Sequence, residues 1–274
     1  MIRGVSRAGT LVALAAAFWA VGPPPASPHT SAPALTADQV VAKVIAARRT
    51  SGFRIHAKLI RTTPGPDAAK EKDTRQLLIK GRRDGEALKV LYQVLWPSQF
   101  AGEAILVEDS GDHHMKGIVY QKGAATPLTS QALETHFFGS DLRIEEVIEG
   151  FWYWPSRKSM GEETIGKRQC MIVELRPGPD TVTQYSKVKA WIAPDIALAM
   201  RIQLFDREGK LVKTVTTDRV VKQGNRWQAA TLRVQPAGSR SQTILEGTKS
   251  ERDLELPAAD FTLEAIRNFG KVPR

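Results

Sequence analysis

From Phe53 onward the chain alternates. Phe53, Ile55, Ala57 and Leu59 are separated by Arg54, His56 and Lys58, the period of two expected of a half-buried strand. Comparable patterns predict strands near residues 74–82, 86–95, 103–108 and 115–121, and again at 169–176, 184–192, 198–206, 211–221, 227–235 and 243–254. Ahead of them, Val40, Val41, Val44 and Ile45 recur at helical spacing behind a cap at Thr36 or Asp38, with Arg48, Arg49 and Ser51-Gly52 as a basic last turn and stop. The middle of the chain differs. Residues 128–138 and 141–149 read as helix or loop, and Phe151-Trp152-Tyr153-Trp154-Pro155 is an aromatic burst. A last helix is predicted over 257–268, ending at Gly270.

Turn signals such as Arg207-Glu208-Gly209 and Gln223-Gly224-Asn225 separate the later strands, so consecutive hairpins are expected. One long antiparallel meander must curl into a sandwich or barrel to hide its apolar face. Met171, Val173 and Leu175 share one side of their strand. Val188, Ala190 and Ile192 do the same, as do Leu198, Met200, Ile202 and Leu204, while Lys187, Lys189, Arg201 and Gln203 fall on the opposite, wet side. Few helices remain to cover so long a sheet, which predicts a cavity or groove on its apolar side.

Composition adds little, since 42% hydrophobic and 25% charged residues are ordinary globular values. The N-terminus changes the picture. Arg3 and Arg7 precede an apolar run from Thr10 to Gly22, and Ala32-Pro33-Ala34 offers a cleavage site. Residues 1–34 are therefore expected to be a signal peptide, with residues 35–274 as one domain. The alternative is an uncleaved N-terminal anchor. No Cys adjoins that run, so a bacterial lipoprotein signal is absent, and no second run approaches the length of a membrane span, so the mature protein is expected to be soluble.

The formal charge is +10, and without Arg3 and Arg7 the mature chain carries +8. A basic surplus suits acidic partners, and export removes nucleic acid from that list, leaving anionic lipid headgroups or lipopolysaccharide. The competing reading is a basic surface that serves only solubility. Cys170, the sole cysteine, sits in an apolar strand pattern and reads as core.

The chemistry-bearing motifs are sparse. No nucleophile elbow, zinc-protease or phosphate-loop pattern occurs, so a binding protein without catalytic residues or cofactor is expected. His113-His114 beside Asp109 and Asp112 invites a metal reading, but adjacent strand residues point to opposite faces, so surface histidines in a turn are favoured and no metal is expected. Glu145, Glu146 and Glu149 with Arg143 suit a solvated helical face. Gly139-Ser140-Asp141 reads as a helix cap, or Gly139 as the hinge of a lid. Phe137, Phe138, Phe151, Trp152 and Trp154 supply the apolar surface of either a lid over a cavity or a packed core corner.

Phe137-Phe138-Gly139-Ser140-Asp141-Leu142 with Glu145-Glu146 after it, Tyr185 to Ile192, Phe205 to Val212, and Trp96-Pro97 followed by Gly102 to Leu106 together resemble the LolA-like outer-membrane lipoprotein-sorting proteins. The resemblance spans nearly the whole mature chain. It implies a mainly β fold, a curled antiparallel half-barrel covered by helices, enclosing a cavity for acyl chains. It further implies a periplasmic protein of a Gram-negative bacterium that moves lipid or lipoprotein toward the outer membrane, with an inner-membrane transporter as donor. The alternative is a sensor that binds lipoprotein and signals to a membrane partner. On this reading the candidate cavity and lid residues are Phe137, Phe138, Phe151, Trp152, Trp154, Met171, Val173, Val188, Ile192, Met200, Ile202 and Leu204, with Gly139 and Asp141 as hinge or cap.

Overall fold

The structure is a computed structural model and describes residues 35–65, 70–110 and 115–269. The predicted leader and the His113-His114 pair lie outside those residues.

The first element, α1 (Ala37–Arg48), begins where local chemistry demands. Thr36 Oγ1 accepts from the Gln39 amide at 3.2 Å, and Gln39 Oε1 accepts from the Thr36 amide at 2.8 Å, a reciprocal capping box. Val40, Val41 and Val44 form its buried stripe. The helix stops at an extended Arg49, not at a left-handed glycine. Gly52 instead opens the next strand, where an added Cβ would lie 2.4 Å from the Leu254 carbonyl oxygen. Close approach of two backbones requires the glycine there.

Two antiparallel meanders follow. The first comprises β1 (Gly52–Pro64), β2 (Lys70–Asp84), β3 (Ala87–Trp96), β4 (Ala104–Asp109), β5 (Met115–Gln121) and β6 (Ala124–Pro127). The second comprises β7 (Ser156–Ile165), β8 (Arg168–Arg176), β9 (Lys187–Ala193), β10 (Leu198–Phe205), β11 (Leu211–Gln223), β12 (Arg226–Pro236) and β13 (Gln242–Arg252). Two-residue loops close several hairpins: Asp84 pairs with Ala87, Gln121 with Ala124, Ile165 with Arg168 and Gln223 with Arg226. In the second of these Lys122 and Gly123 both have positive φ, the primed turn whose twist matches the flanking strands.

The expected single meander is thus split. β1 pairs with β13, Leu59 opposite Leu245, so the first and last strands lie side by side at the centre of a thirteen-stranded sheet. Its edges are β6 and β7, which are consecutive in sequence. The sheet is not closed into a barrel, and its mainly β, antiparallel architecture matches expectation. The insert of residues 128–155 connects the two edges and contains α2 (Ser130–Leu133), α3 (Ile144–Ile148) and 3-10 turns at Phe137–Gly139 and Gly150–Tyr153.

Strand β7 escapes the sequence reading because most of its residues are exposed, leaving no alternating apolar face to detect. The C-terminal segment also departs from expectation. A 3-10 turn (Ala258–Phe261) is followed by the short α4 (Leu263–Arg267), divided by an extended Thr262 that caps α4 through the Ala265 amide.

Both faces of the sheet are covered in part. On the inner face α1 and the aromatic end of the insert pack on β8, β9 and β10, and Phe137, Phe138, Leu142 and Ile144 pack on β1 to β5. On the outer face Phe261 and Ile266 cover Leu91 and Leu106, while Cys170, Trp191 and Met200 form a separate cluster. The register shift between Ala199 and Arg201 corrects one expectation. It reverses the parity of β10, so Ala199 joins Ile202 and Leu204 inside, whereas Met200 turns outward.

Candidate functional site

A cavity of about 370 Å³ lies between the inner face and the insert. Alternating residues of the central strands supply its floor: Ile55 and Ala57 from β1, Val215 from β11, Leu232 and Val234 from β12, and Leu245 from β13. Val44 and Ala47 close one side from α1, and Phe137, Val147, Phe151 and Trp152 cover it from the insert. The size is at the lower end of that of small-molecule sites, roughly 300–1,000 Å³. Such a wall has little to offer a polar ligand, whereas each methylene transferred into it gains about 0.8 kcal/mol.

The residues singled out from the sequence separate into distinct groups. Phe137, Phe151, Trp152, Ile202 and Leu204 line the cavity. Trp154, Met171, Val173, Val188 and Ile192 are buried in the core that includes α1 and are outside the lining. Met200 is on the outer face. Phe138 is buried beside Phe137, ring centroids 4.6 Å apart, and borders a small crevice with Leu59, Arg61 and Arg75. Its φ of +47° is a strained state for a bulky residue. Complete burial of the ring offsets that strain.

Gly139 and Asp141 anchor the insert to the middle of the sheet. Asp141 accepts from Ser241 Oγ at 2.8 Å, from Thr243 Oγ1 at 2.8 Å and from Arg61 Nε at 3.2 Å, while its own amide donates to Thr243 Oγ1 at 2.9 Å. The helix cap expected at Ser140 or Asp141 falls instead at Arg143, whose amide donates to Glu146 Oε2 at 3.0 Å. Gly139 is left-handed, φ +72°, and an added Cβ would approach Arg75 Nη2 to 3.1 Å.

A second anchor holds α3. Glu146, expected on a solvated face, is buried and accepts from Lys213 Nζ at 2.5 Å and 2.7 Å and from the Tyr185 hydroxyl. Burial pulls the Lys213 pKa down against the attraction of Glu146. Burial, reinforced by Glu146, pushes the Tyr185 hydroxyl well above the usual phenol range. Glu145 bonds the Thr183 hydroxyl, and burial raises its carboxyl pKa. The insert therefore rests on two polar pins as well as on its apolar residues.

One rim of the cavity is charged. Arg48 from the end of α1 pairs with Glu149, which ends α3 in a left-handed conformation. Tyr92 and Arg252 also line the cavity, and burial pushes the Tyr92 hydroxyl up to about 12. These rim residues were missed in the sequence. Arg48 reads there as an ordinary basic last turn, and Arg252 as one more charge on a polar strand end. Cys170 lies outside the site, and burial pushes its thiol up. No group of three or more potential metal ligands occurs among the described residues.

A family model described as "-like: Uncharacterized protein" matches residues 87–268, well over half of the chain. Among curated proteins none matches. Several solved structures share the fold, among them three crystal structures. A DUF1329 family protein from Desulfovibrio piger is 20% identical over 84% of this chain and 97% of its own, with a TM-score of 0.77. A domain described as an outer membrane lipoprotein-sorting protein from Vibrio parahaemolyticus is 18% identical over 84% and 98%, TM-score 0.75. A LolA superfamily protein from Nitrosomonas europaea is 17% identical over 85% and 100%, TM-score 0.68.

Proposed function

We propose that this chain, which belongs to the family whose model is described as "-like: Uncharacterized protein" and has a LolA-like fold, is a periplasmic carrier whose cavity holds the acyl chains of a lipid or lipoprotein. The observation that carries the proposal is the cavity itself, about 370 Å³ and walled mainly by apolar side chains of the sheet and the insert. Binding is by burial, without a reaction. The insert acts as the lid, with Phe137, Phe151 and Trp152 as its ligand-facing surface and the pins at Asp141 and Glu146 setting where it can move. On this reading residues 1–34 are an export signal, residues 35–274 form the working domain, and the cargo passes from an inner-membrane transporter toward the outer membrane. No helix among the described residues is long and apolar enough to cross a membrane.

The test is native mass spectrometry with lipid extraction on protein purified from the periplasm without detergent. An acyl species at near-unit occupancy supports the carrier and names its cargo. Protein that arrives empty and fails to take up a fluorescent fatty acid overturns the reading and favours a sensor acting through a protein complex.

A further inference from the structure

The charged rim of the cavity is not balanced. Arg48 is paired with Glu149, Arg49 with Glu86, and Arg226 lies 3.8 Å from Asp253. Arg252, which also lines the cavity, has no carboxylate at ion-pair distance among the described residues. Its Nη2 donates to the Ala47 carbonyl at 3.2 Å, and its Nε is shielded from solvent with no acceptor. The neighbouring Asp253 accepts from Thr50 Oγ1 at 3.0 Å and makes no ion pair with Arg252 within 4 Å. Burial and then the like charge of Arg226 lower the Arg252 pKa, against a smaller opposing pull from Asp253. A partly buried guanidinium with donors to spare and no carboxylate at ion-pair distance is costly unless something supplies a closer anion.

Arg48 adds to the same feature. Its side chain keeps 51% of its surface accessible, yet burial lowers its pKa and it feels the charge of Arg252. Arg48 is among the residues that line the cavity. The site thus joins an apolar chamber to a cationic end, the complement of an amphiphile with an acidic head.

We propose that Arg252, with Arg48 beside it, is an anion site that takes the carboxylate or phosphate headgroup of an acyl amphiphile held in the cavity. The assignment rests on the acyl-carrier reading and narrows it to acidic ligands. An oxyanion accepting from Arg252 supplies the charge that the protein leaves out, and a planar guanidinium suits two parallel hydrogen bonds. A neutral head leaves Arg252 as it stands.

The experiment is displacement of an uncharged fluorescent naphthylamine from the purified protein by dodecanoate, dodecyl phosphate and dodecanol, three ligands with one chain and different heads. At least one anion is expected to bind about tenfold or more tightly than dodecanol, the usual effect of a charge-assisted hydrogen bond. The tighter of the two anions identifies the headgroup chemistry. Arg252→Gln is expected to erase the preference of the anions over dodecanol, and Arg252→Lys to restore part of it. The wild-type comparison stands even if a variant fails to fold. Equal affinity for all three heads in the wild-type protein, or an undiminished preference in folded Arg252→Gln, overturns the anion site while leaving the carrier intact. Failure of every chain to bind removes the carrier reading, and this one with it.

Discussion

Lys213 and Glu146 form an ion pair with both side chains more than nine-tenths buried, Nζ lying 2.5 Å from Oε1. It fastens α3 of the insert to β11, alongside the apolar contacts the insert makes with the same sheet. A buried pair is weak evidence for stability as such, but removing one partner strands a charge. Glu146→Gln is expected to cost about 3–5 kcal/mol, and the double replacement Glu146→Leu, Lys213→Met far less than the sum of the singles. Urea unfolding of the four proteins in a mutant cycle measures this. Additive effects would show that the two groups are uncoupled.

Glu145 gives stability a pH dependence. Burial holds its carboxyl pKa above the ordinary value, although Thr183 pulls the other way. A carboxyl whose folded pKa is raised binds its proton more tightly in the native state. Its contribution is therefore present below the ordinary carboxylate range, about pH 4.3, and lost as pH rises through the folded value. Glu145→Gln is expected to flatten the fall of stability over that window. Urea midpoints measured from acid to neutral pH check it, and an unaltered slope would assign the effect to another group.

The Asp141 pin is expected to govern the motion of the insert. Asp141→Ala leaves Ser241, Thr243 and Arg61 without a shared acceptor, at a cost of about 2–4 kcal/mol for several hydrogen bonds to a charged group. Hydrogen exchange should quicken at the amides of residues 137–144 before it does in β1 or β13. Protection lost evenly across the sheet would contradict a local anchoring role.

Phe138 and Trp152 separate packing from binding. Both are almost completely buried, but only Trp152 lines the cavity. Phe138→Ala is expected to lower stability by about 3–5 kcal/mol and leave acyl-chain affinity within twofold among folded molecules. Trp152→Asp is expected to abolish binding while the β-sheet signal in circular dichroism persists. Reversal of these two outcomes would place the lid surface on the wrong ring.

Ala230 lines the cavity on β12. Ala230→Phe is expected to shorten the longest chain accepted, at a stability cost of about 1–3 kcal/mol. A competition series of fatty acids of increasing length reads the cut-off, and an unchanged cut-off would move the chain to another part of the cavity.

Much of the architecture is local and therefore legible in the chain. The Thr36–Gln39 capping box, the valine stripe of α1, the alternation through β1 and the two-residue glycine turns each depend on neighbours within a few positions. They determine a mainly antiparallel protein with one leading helix before any long-range contact forms. The tertiary structure decides what sequence distance conceals. It sets β1 against β13, which leaves the seam between β6 and β7 for the insert to bridge. It turns Met200 outward through a single register shift that no periodicity announces. It also gathers Arg48, Glu149 and Arg252 from α1, the end of α3 and β13 onto one rim. Charges that distant in the chain carry no local signature, because their effect depends on the low-dielectric space they share, and that space exists only once the sheet has curled around it.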